Sequence, residues 1–228
     1  MIEENLSLVR QRISAAAQRS GRADSDIHLI AVTKTHSAQV VNEAIRLGVT
    51  DVGENKVQEF CGKYEQTEAV NWHLIGHLQS NKVKYLIGKV KLIHSVDSVS
   101  LMQEIHRRSE MAGVITDILL QVNISGEDSK FGVSPEEVGM LLENAASFSA
   151  LRVRGLMTVA PKCIVPEKNR RYFAAMNELF RKIKEQQSGN VSMDYLSMGM
   201  SGDYEIAIEE GSNMVRVGSA IFGARHYN

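Results

Sequence analysis

A parallel eight-stranded barrel, (β/α)8, is the fold class this sequence predicts, and three observations lead to it. Short apolar runs alternate with segments of helical period along the chain. No Pro-, Gly- or Ser-rich linker divides them, which makes residues 1–228 a single domain. The alternation gives eight strands, and 228 residues suit one such TIM barrel with an extra N-terminal helix. A doubly wound open sheet is the alternative that the same alternation allows.

The elements follow in order. Leu6, Val9, Ile13, Ala16 and Ala17 recur at helical spacing, so residues 2–20 form an amphipathic helix that stops at Gly21. Ile27 to Lys34 contains the run Leu-Ile-Ala-Val, which a parallel sheet covered on both faces favours, and it is the first strand. Ser37 N-caps a helix through Leu47. Residues 51–55 make a second strand leading into a helix over 56–68, and 72–77 a third strand before a helix over 80–87. Residues 91–96 are the fourth strand, followed by a helix over 98–112. After the fifth strand, 118–124, Ser134-Pro-Glu-Glu opens a helix with a capping-box pattern and an early proline. The sixth strand, 153–159, precedes a helix over 167–187. A short seventh strand, 195–199, precedes a helix over 203–210, and 214–218 is the eighth.

Composition narrows the function classes. Lys plus Arg number 26 against 27 acids, a net charge of -1, which gives no electrostatic footprint for nucleic acid or an acidic membrane. No apolar segment is long enough to span a bilayer, and the acidic N-terminus does not read as a signal peptide. Cys61 and Cys163 stand far apart with no C-x-x-C, as reduced thiols of a cytoplasmic protein do. A monomer is expected.

The chemistry-bearing residues gather at strand ends, where barrels build their sites. Lys34 closes the first strand. Its amine either snorkels to solvent or faces a partly desolvated cavity, where burial disfavours the ammonium form and leaves a nucleophile toward an aldehyde. Ser197-Met-Gly-Met-Ser-Gly-Asp203 follows strand seven and Gly218-Ser-Ala220 follows strand eight. Those are the two loops with which barrels hold a phosphate, and Ser201, Gly218 and Ser219 are the candidate donors. Arg216 alternates with Val215 and Val217, so it points into the barrel and needs an acceptor: Glu54, Asp203 or a ligand atom. Asn55 can bond a ring substituent or cap the next helix. His73 and His77 share a strand face, but no third ligand stands near them in sequence, so no metal is expected and His77 is assigned to the pocket wall. Lys130 sits in a polar loop, 125–130, of the kind that is usually solvated. An amine, an arginine and an anion cradle together suit an aromatic aldehyde bearing a phosphate, and pyridoxal phosphate is the candidate.

At these residues the chain resembles the pyridoxal-phosphate homeostasis proteins, single-domain relatives of the alanine racemase barrel. The carriers of the resemblance are Ala31-Val-Thr-Lys-Thr35, Gly53-Glu-Asn-Lys-Val-Gln-Glu59, Trp72-His-Leu-Ile-Gly-His-Leu-Gln-Ser80, Gln121 to Lys130, Gly155-Leu-Met157, Leu196-Ser-Met-Gly-Met-Ser201 and Val215-Arg-Val-Gly-Ser219 with Phe222-Gly223. The resemblance implies that Lys34 forms an internal aldimine, that Ser201, Gly218 and Ser219 hold the phosphate, and that Arg216 faces the pyridine nitrogen. It also implies a binding and distributing role, with indirect effects on amino-acid and keto-acid balance, no efficient catalysis, and PLP-dependent apoenzymes as partners. One departure is the absence of a proline after the lysine motif, in Thr35-His-Ser-Ala38. The rival functions on the same barrel are an amino-acid racemase or lyase and a Schiff-base aldolase. Racemisation needs a base on each face of the substrate, which the racemases complete from an additional C-terminal domain, and the sequence ends at Asn228 soon after strand eight.

Overall fold

The computed structural model describes residues 1–186 and 189–223. Every strand pairs in parallel with its sequence neighbours, and the first pairs with the last, so the sheet closes into an eight-stranded barrel. The elements are α1 (Ile2–Arg19), β1 (His28–Val32), α2 (Ala38–Arg46), β2 (Asp51–Glu54), α3 (Val57–Tyr64), β3 (Asn71–Leu74), β4 (Leu92–Val96), α4 (Val99–Ala112), β5 (Thr116–Gln121), α5 (Val138–Ala145), β6 (Leu151–Met157), α6 (Arg170–Lys184), β7 (Val191–Met200), α7 (Tyr204–Glu209), β8 (Met214–Val217) and α8 (Ser219–Phe222). The sheet is closed, not an open doubly wound one. Among the described residues no helix is long and apolar enough to cross a membrane.

Local sequence explains most boundaries. α1 buries its expected apolar face and ends where Gly21 adopts φ +69, a left-handed conformation that glycine takes without strain. Ser98 caps α4 through the Leu101 N–H, and Ser134 with Glu137 forms the expected capping box, Ser134 N–H donating to Glu137 Oε2 at 2.8 Å. Several elements differ from expectation: β3 ends at Leu74, β5 at Gln121 and β6 at Met157, each short of its expected end, and Pro166–Asn169 is a 3-10 turn ahead of α6. α3 stops at Tyr64, whose carbonyl accepts from the Thr67 hydroxyl. Residues Ser80–Tyr85 wind as a 3-10 helix, the form short helical connections often take. β7 is ten residues long rather than five. Its first half alternates Val191 and buried Met193 with Ser192 and exposed Asp194, which pairs with Arg154 of β6 at 2.6 Å, so it shows no continuous apolar run.

Alternation along the strands divides the core in two. Outward residues such as Val52, Trp72, Leu74, Ile93, Ile118, Leu120, Leu196, Val215 and Val217 pack with the helices in the main cluster. Inward residues Ile30, Leu92, Leu119, Met157 and Met214 fill the barrel. The closest backbone approach is at Gly155 in β6, with φ +146, where a Cβ would collide with the Tyr195 carbonyl of β7. Gly155→Ala is expected to lower unfolding free energy by about 2–4 kcal/mol, from strain and a displaced β6–β7 ladder, as read by urea denaturation.

Candidate functional site

Lys34 lies two residues beyond the end of β1, half-buried, in a turn held from outside the barrel. The residue before it, Thr33, is fully buried. Its hydroxyl donates to Glu54 Oε1 at 2.8 Å, and its carbonyl accepts from Lys63 Nζ at 2.8 Å. Lys63, one helical face of α3, also pairs with Glu54 at 2.5 Å. Burial pushes the Glu54 carboxyl up, and Lys63 acts against that shift. On the other side of Lys34, Thr35 adopts φ +67, uncommon for a non-glycine residue. Its N–H donates to Glu59 Oε2 at 2.7 Å. Glu54, Glu59 and Lys63 therefore clamp both peptide neighbours of Lys34.

Arg216 reaches the same mouth from β8. Register pairs Ile30 with Arg216 and Ala31 with Val217, and Gly218 faces Val32, whose Cβ and carbonyl oxygen would each lie 3.3 Å from a Cβ at 218. The ends of β1 and β8 are thus adjacent, and glycine at 218 lets the two backbones approach this closely. Arg216 is buried and takes neither carboxylate considered from sequence as an acceptor. Its Nη1 donates to Ser197 Oγ at 2.6 Å and its Nη2 to the Thr158 carbonyl at 2.8 Å. Glu54 is engaged by Thr33 and Lys63, and Asp203 accepts from Met200 N–H and Asn169 Nδ2. Burial lowers the Arg216 pKa to about 10, against the distant attraction of Asp203, which still leaves the guanidinium charged at neutral pH.

The loops after β7 and β8 meet through Ser201, whose Oγ accepts from Gly218 N–H at 3.1 Å and Ala220 N–H at 3.4 Å. Ser219 begins α8 and is exposed, and Phe222 of α8 packs on His36 with ring centroids 4.8 Å apart. Asn55 follows β2 and carries a buried Oδ1 with no hydrogen-bond partner among the described residues. It does not N-cap α3, where Lys56 holds that position. His77 lies beyond β3, exposed, stacked on Phe131 at 3.9 Å, and lines a cleft together with Asn55. It does not share a strand face with His73, because β3 ends at Leu74. Lys130 is tied to Glu127 at 3.2 Å and to Ser125.

The family model for the alanine racemase N-terminal domain matches residues 4–226. A protein of Aquifex aeolicus named pyridoxal phosphate homeostasis protein is 44% identical over 226 residues, 98% of each chain. The chain belongs to the pyridoxal phosphate homeostasis protein family. Another family protein, from Pseudomonas aeruginosa, is 40% identical over 228 residues, covering 99% of this chain and 96% of the relative. Among solved structures, PipY of Synechococcus elongatus with PLP bound superposes with a TM-score of 0.84 at 30% identity, covering 98% of this chain and all of that one.

Sequence reading paired His73 with His77 and placed Ser197 in the loop after strand seven, and did not join them to Asp51 and His94 behind the mouth. Inside the barrel His73 bonds Asp51 and His94, and His94 bonds Ser197, each at 2.9 to 3.0 Å. Among the described residues no group of three or more His, Cys, Asp and Glu is placed to hold a metal, and these side chains are hydrogen-bonded to one another. The signal in sequence was alternation: Asp51, His73, His94 and Ser197 each adjoin an outward apolar residue of their own strand, Val52, Trp72, Ile93 and Leu196.

Two outcomes follow from the site's electrostatics. Lys63→Met leaves the Glu54 carboxylate buried without its cation and should cost about 3–5 kcal/mol, while Lys63→Met with Glu54→Leu should recover much of the loss, as measured by urea denaturation. Burial pushes the Asp51 carboxyl up, but hydrogen bonds from His73 and Thr50 outweigh it and hold the pKa well below the usual carboxylate range. A folded-state pKa below the unfolded value stabilises above the unfolded pKa and is lost as pH falls. The stability difference between the native chain and Asp51→Asn should therefore be flat above about pH 5 and shrink as pH drops below about 4.

Proposed function

We propose that the chain is a carrier of pyridoxal phosphate that serves intracellular vitamin B6 homeostasis. Lys34 Nζ holds the cofactor through a covalent C=N bond to its aldehyde carbon, with loss of one water. The observation that carries the reading is the convergence at one mouth of Lys34 from β1, Arg216 from β8 and the Ser201–Gly218 junction of the two loops. The residues fit the group. Ser201 Oγ sits where two backbone N–H groups converge on an oxygen acceptor, which is what a phosphate oxygen requires, and Ser219 adds a hydroxyl at the edge of the same loop. The buried Oδ1 of Asn55, without a partner among the described residues, suits a donor on the ring, and His77 borders the cleft beside it. The solved PipY holds PLP, and the curated relatives are named for its homeostasis.

Bound pyridoxal phosphate supplies a conjugated electron sink. Arg216 tempers that capacity: charged at neutral pH, it donates a hydrogen bond to the ring nitrogen without passing a proton, and an unprotonated ring stabilises a carbanion less. A carrier, with no efficient amino-acid turnover, suits that arrangement, and apoenzymes that require the cofactor are its partners.

The purified chain loaded with pyridoxal phosphate should absorb in the visible. Borohydride should fix the cofactor to Lys34 alone by peptide mapping, and Lys34→Ala should lose the absorption while keeping weaker phosphate-dependent binding. Fixation to another lysine with Lys34 unmodified would sink the assignment. Robust racemisation of alanine by the pure chain, abolished in Lys34→Ala, would favour the enzyme reading instead.

A further inference from the structure

Five side chains inside the barrel form one continuous line from the mouth to the opposite end. Arg216 Nη1 is 2.6 Å from Ser197 Oγ, Ser197 Oγ is 3.0 Å from His94 Nδ1, His94 Nε2 is 2.9 Å from His73 Nδ1, and His73 Nε2 is 2.9 Å from Asp51 Oδ1. The chemistry of the two ends sets the direction of every bond between them. An arginine only donates and an ionised carboxylate only accepts. Asp51 is kept ionised by His73 and Thr50, with Lys91 Nζ 3.1 Å away on its other side. His73 therefore carries its proton on Nε2 and presents Nδ1 as an acceptor to His94 Nε2–H. His94 Nδ1 then accepts the Ser197 hydroxyl proton, and the serine oxygen is left facing Arg216. Burial pushes both histidines down, which agrees with one proton on each.

This order matters because a serine hydroxyl rotates. If its hydrogen turned toward Arg216, two donors would oppose each other beside a buried charge. The guanidinium would then lose one of its two named acceptors. His94 prevents that rotation by accepting the hydroxyl hydrogen, and His73 and Asp51 fix the tautomer that lets His94 do so.

We propose that His94 and His73 are positioning residues for the cofactor ring: they hold the Ser197 hydroxyl turned away from Arg216 and so keep the guanidinium aimed at the pyridine nitrogen. The proposal rests on the carrier reading for its ring, and its hydrogen-bond order stands on the protein alone.

The test has two arms. In the full chain with nitrogen-15 histidine, without cofactor at pH 7, NMR should show His73 and His94 both neutral and both protonated at Nε2. An Nδ1–H tautomer or an imidazolium at either position would overturn the order. In the second arm the chain is loaded with pyridoxal phosphate labelled at the ring nitrogen. His94→Leu should shift the ring-nitrogen resonance and weaken retention about fivefold, the loss of roughly one hydrogen bond, with borohydride fixation at Lys34 retained. His94→Gln, whose amide can accept from Ser197 and donate to His73, should bring the resonance back toward that of the native chain. Ser197→Ala, a smaller change should His94→Leu fail to fold, should give the same shift. A resonance unmoved in a folded His94→Leu or Ser197→Ala chain would overturn the positioning role. A native chain that takes up no cofactor would overturn the carrier reading, and the tautomers would still decide the order of the line.

Discussion

A guanidinium inside a barrel must be satisfied by whatever the other strands can turn toward it, and Arg216 sets the terms for the strands around it. It is buried with two neutral acceptors, the Ser197 hydroxyl and the Thr158 carbonyl, and among the described residues no carboxylate is bonded to it. The strongly attractive ion pair that would fix it in place would also take up the donors that a ligand needs. Neutral acceptors hold it more loosely in energy and demand more in geometry, since a rotatable hydroxyl has to be oriented by something further away. The polar contents of this barrel follow from that demand. Apolar Ile30, Leu92, Leu119, Met157 and Met214 fill the remaining interior, so the polar line crosses a packed core rather than a solvent channel.

The mouth is held differently at β1. Lys34 has the backbone on each side fixed by groups of β2 and α3, with a buried ion pair on the Thr33 carbonyl and a carboxylate on the Thr35 amide. A left-handed Thr35 is unfavourable in isolation, and the short bond to Glu59 offsets part of that strain. The result is a turn whose shape is prescribed by α3. The lysine side chain is carried on a rigid base even though the loop lacks the proline that would otherwise stiffen it.

Much of this was legible in the sequence. The eight strands and the N-terminal helix came from apolar runs and helical period, the Ser201 and Gly218 loops from small residues after strands seven and eight, and the roles of Lys34 and Arg216 from the family resemblance. What stayed hidden had physical reasons. The first half of β7 alternates core-facing Val191 and Met193 with Ser192 and the ion-paired Asp194, so it lacks the continuous apolar run that marks a strand covered on both faces. Partners of Arg216 are neutral groups, one of them a backbone carbonyl, whereas charge alone suggested Glu54 or Asp203. His73 could not be sorted from His77 without the end of β3. The clamp from Lys63 and Glu59 reads in sequence as an ordinary helix with charges spaced four apart.

β2 shows how closely these arrangements are packed into the chain. In four residues it sends Asp51 toward the barrel axis, where it anchors His73, and Glu54 toward the helices, where it anchors Thr33 and Lys63. The two carboxylates stand three positions apart, an odd spacing that places them on opposite faces of one strand. Inserting or deleting a single residue between them would turn one of them to the wrong side and leave a buried carboxylate against apolar neighbours. Length variation in this protein should therefore be confined to the loops away from the mouth, with β2 drifting only by substitution.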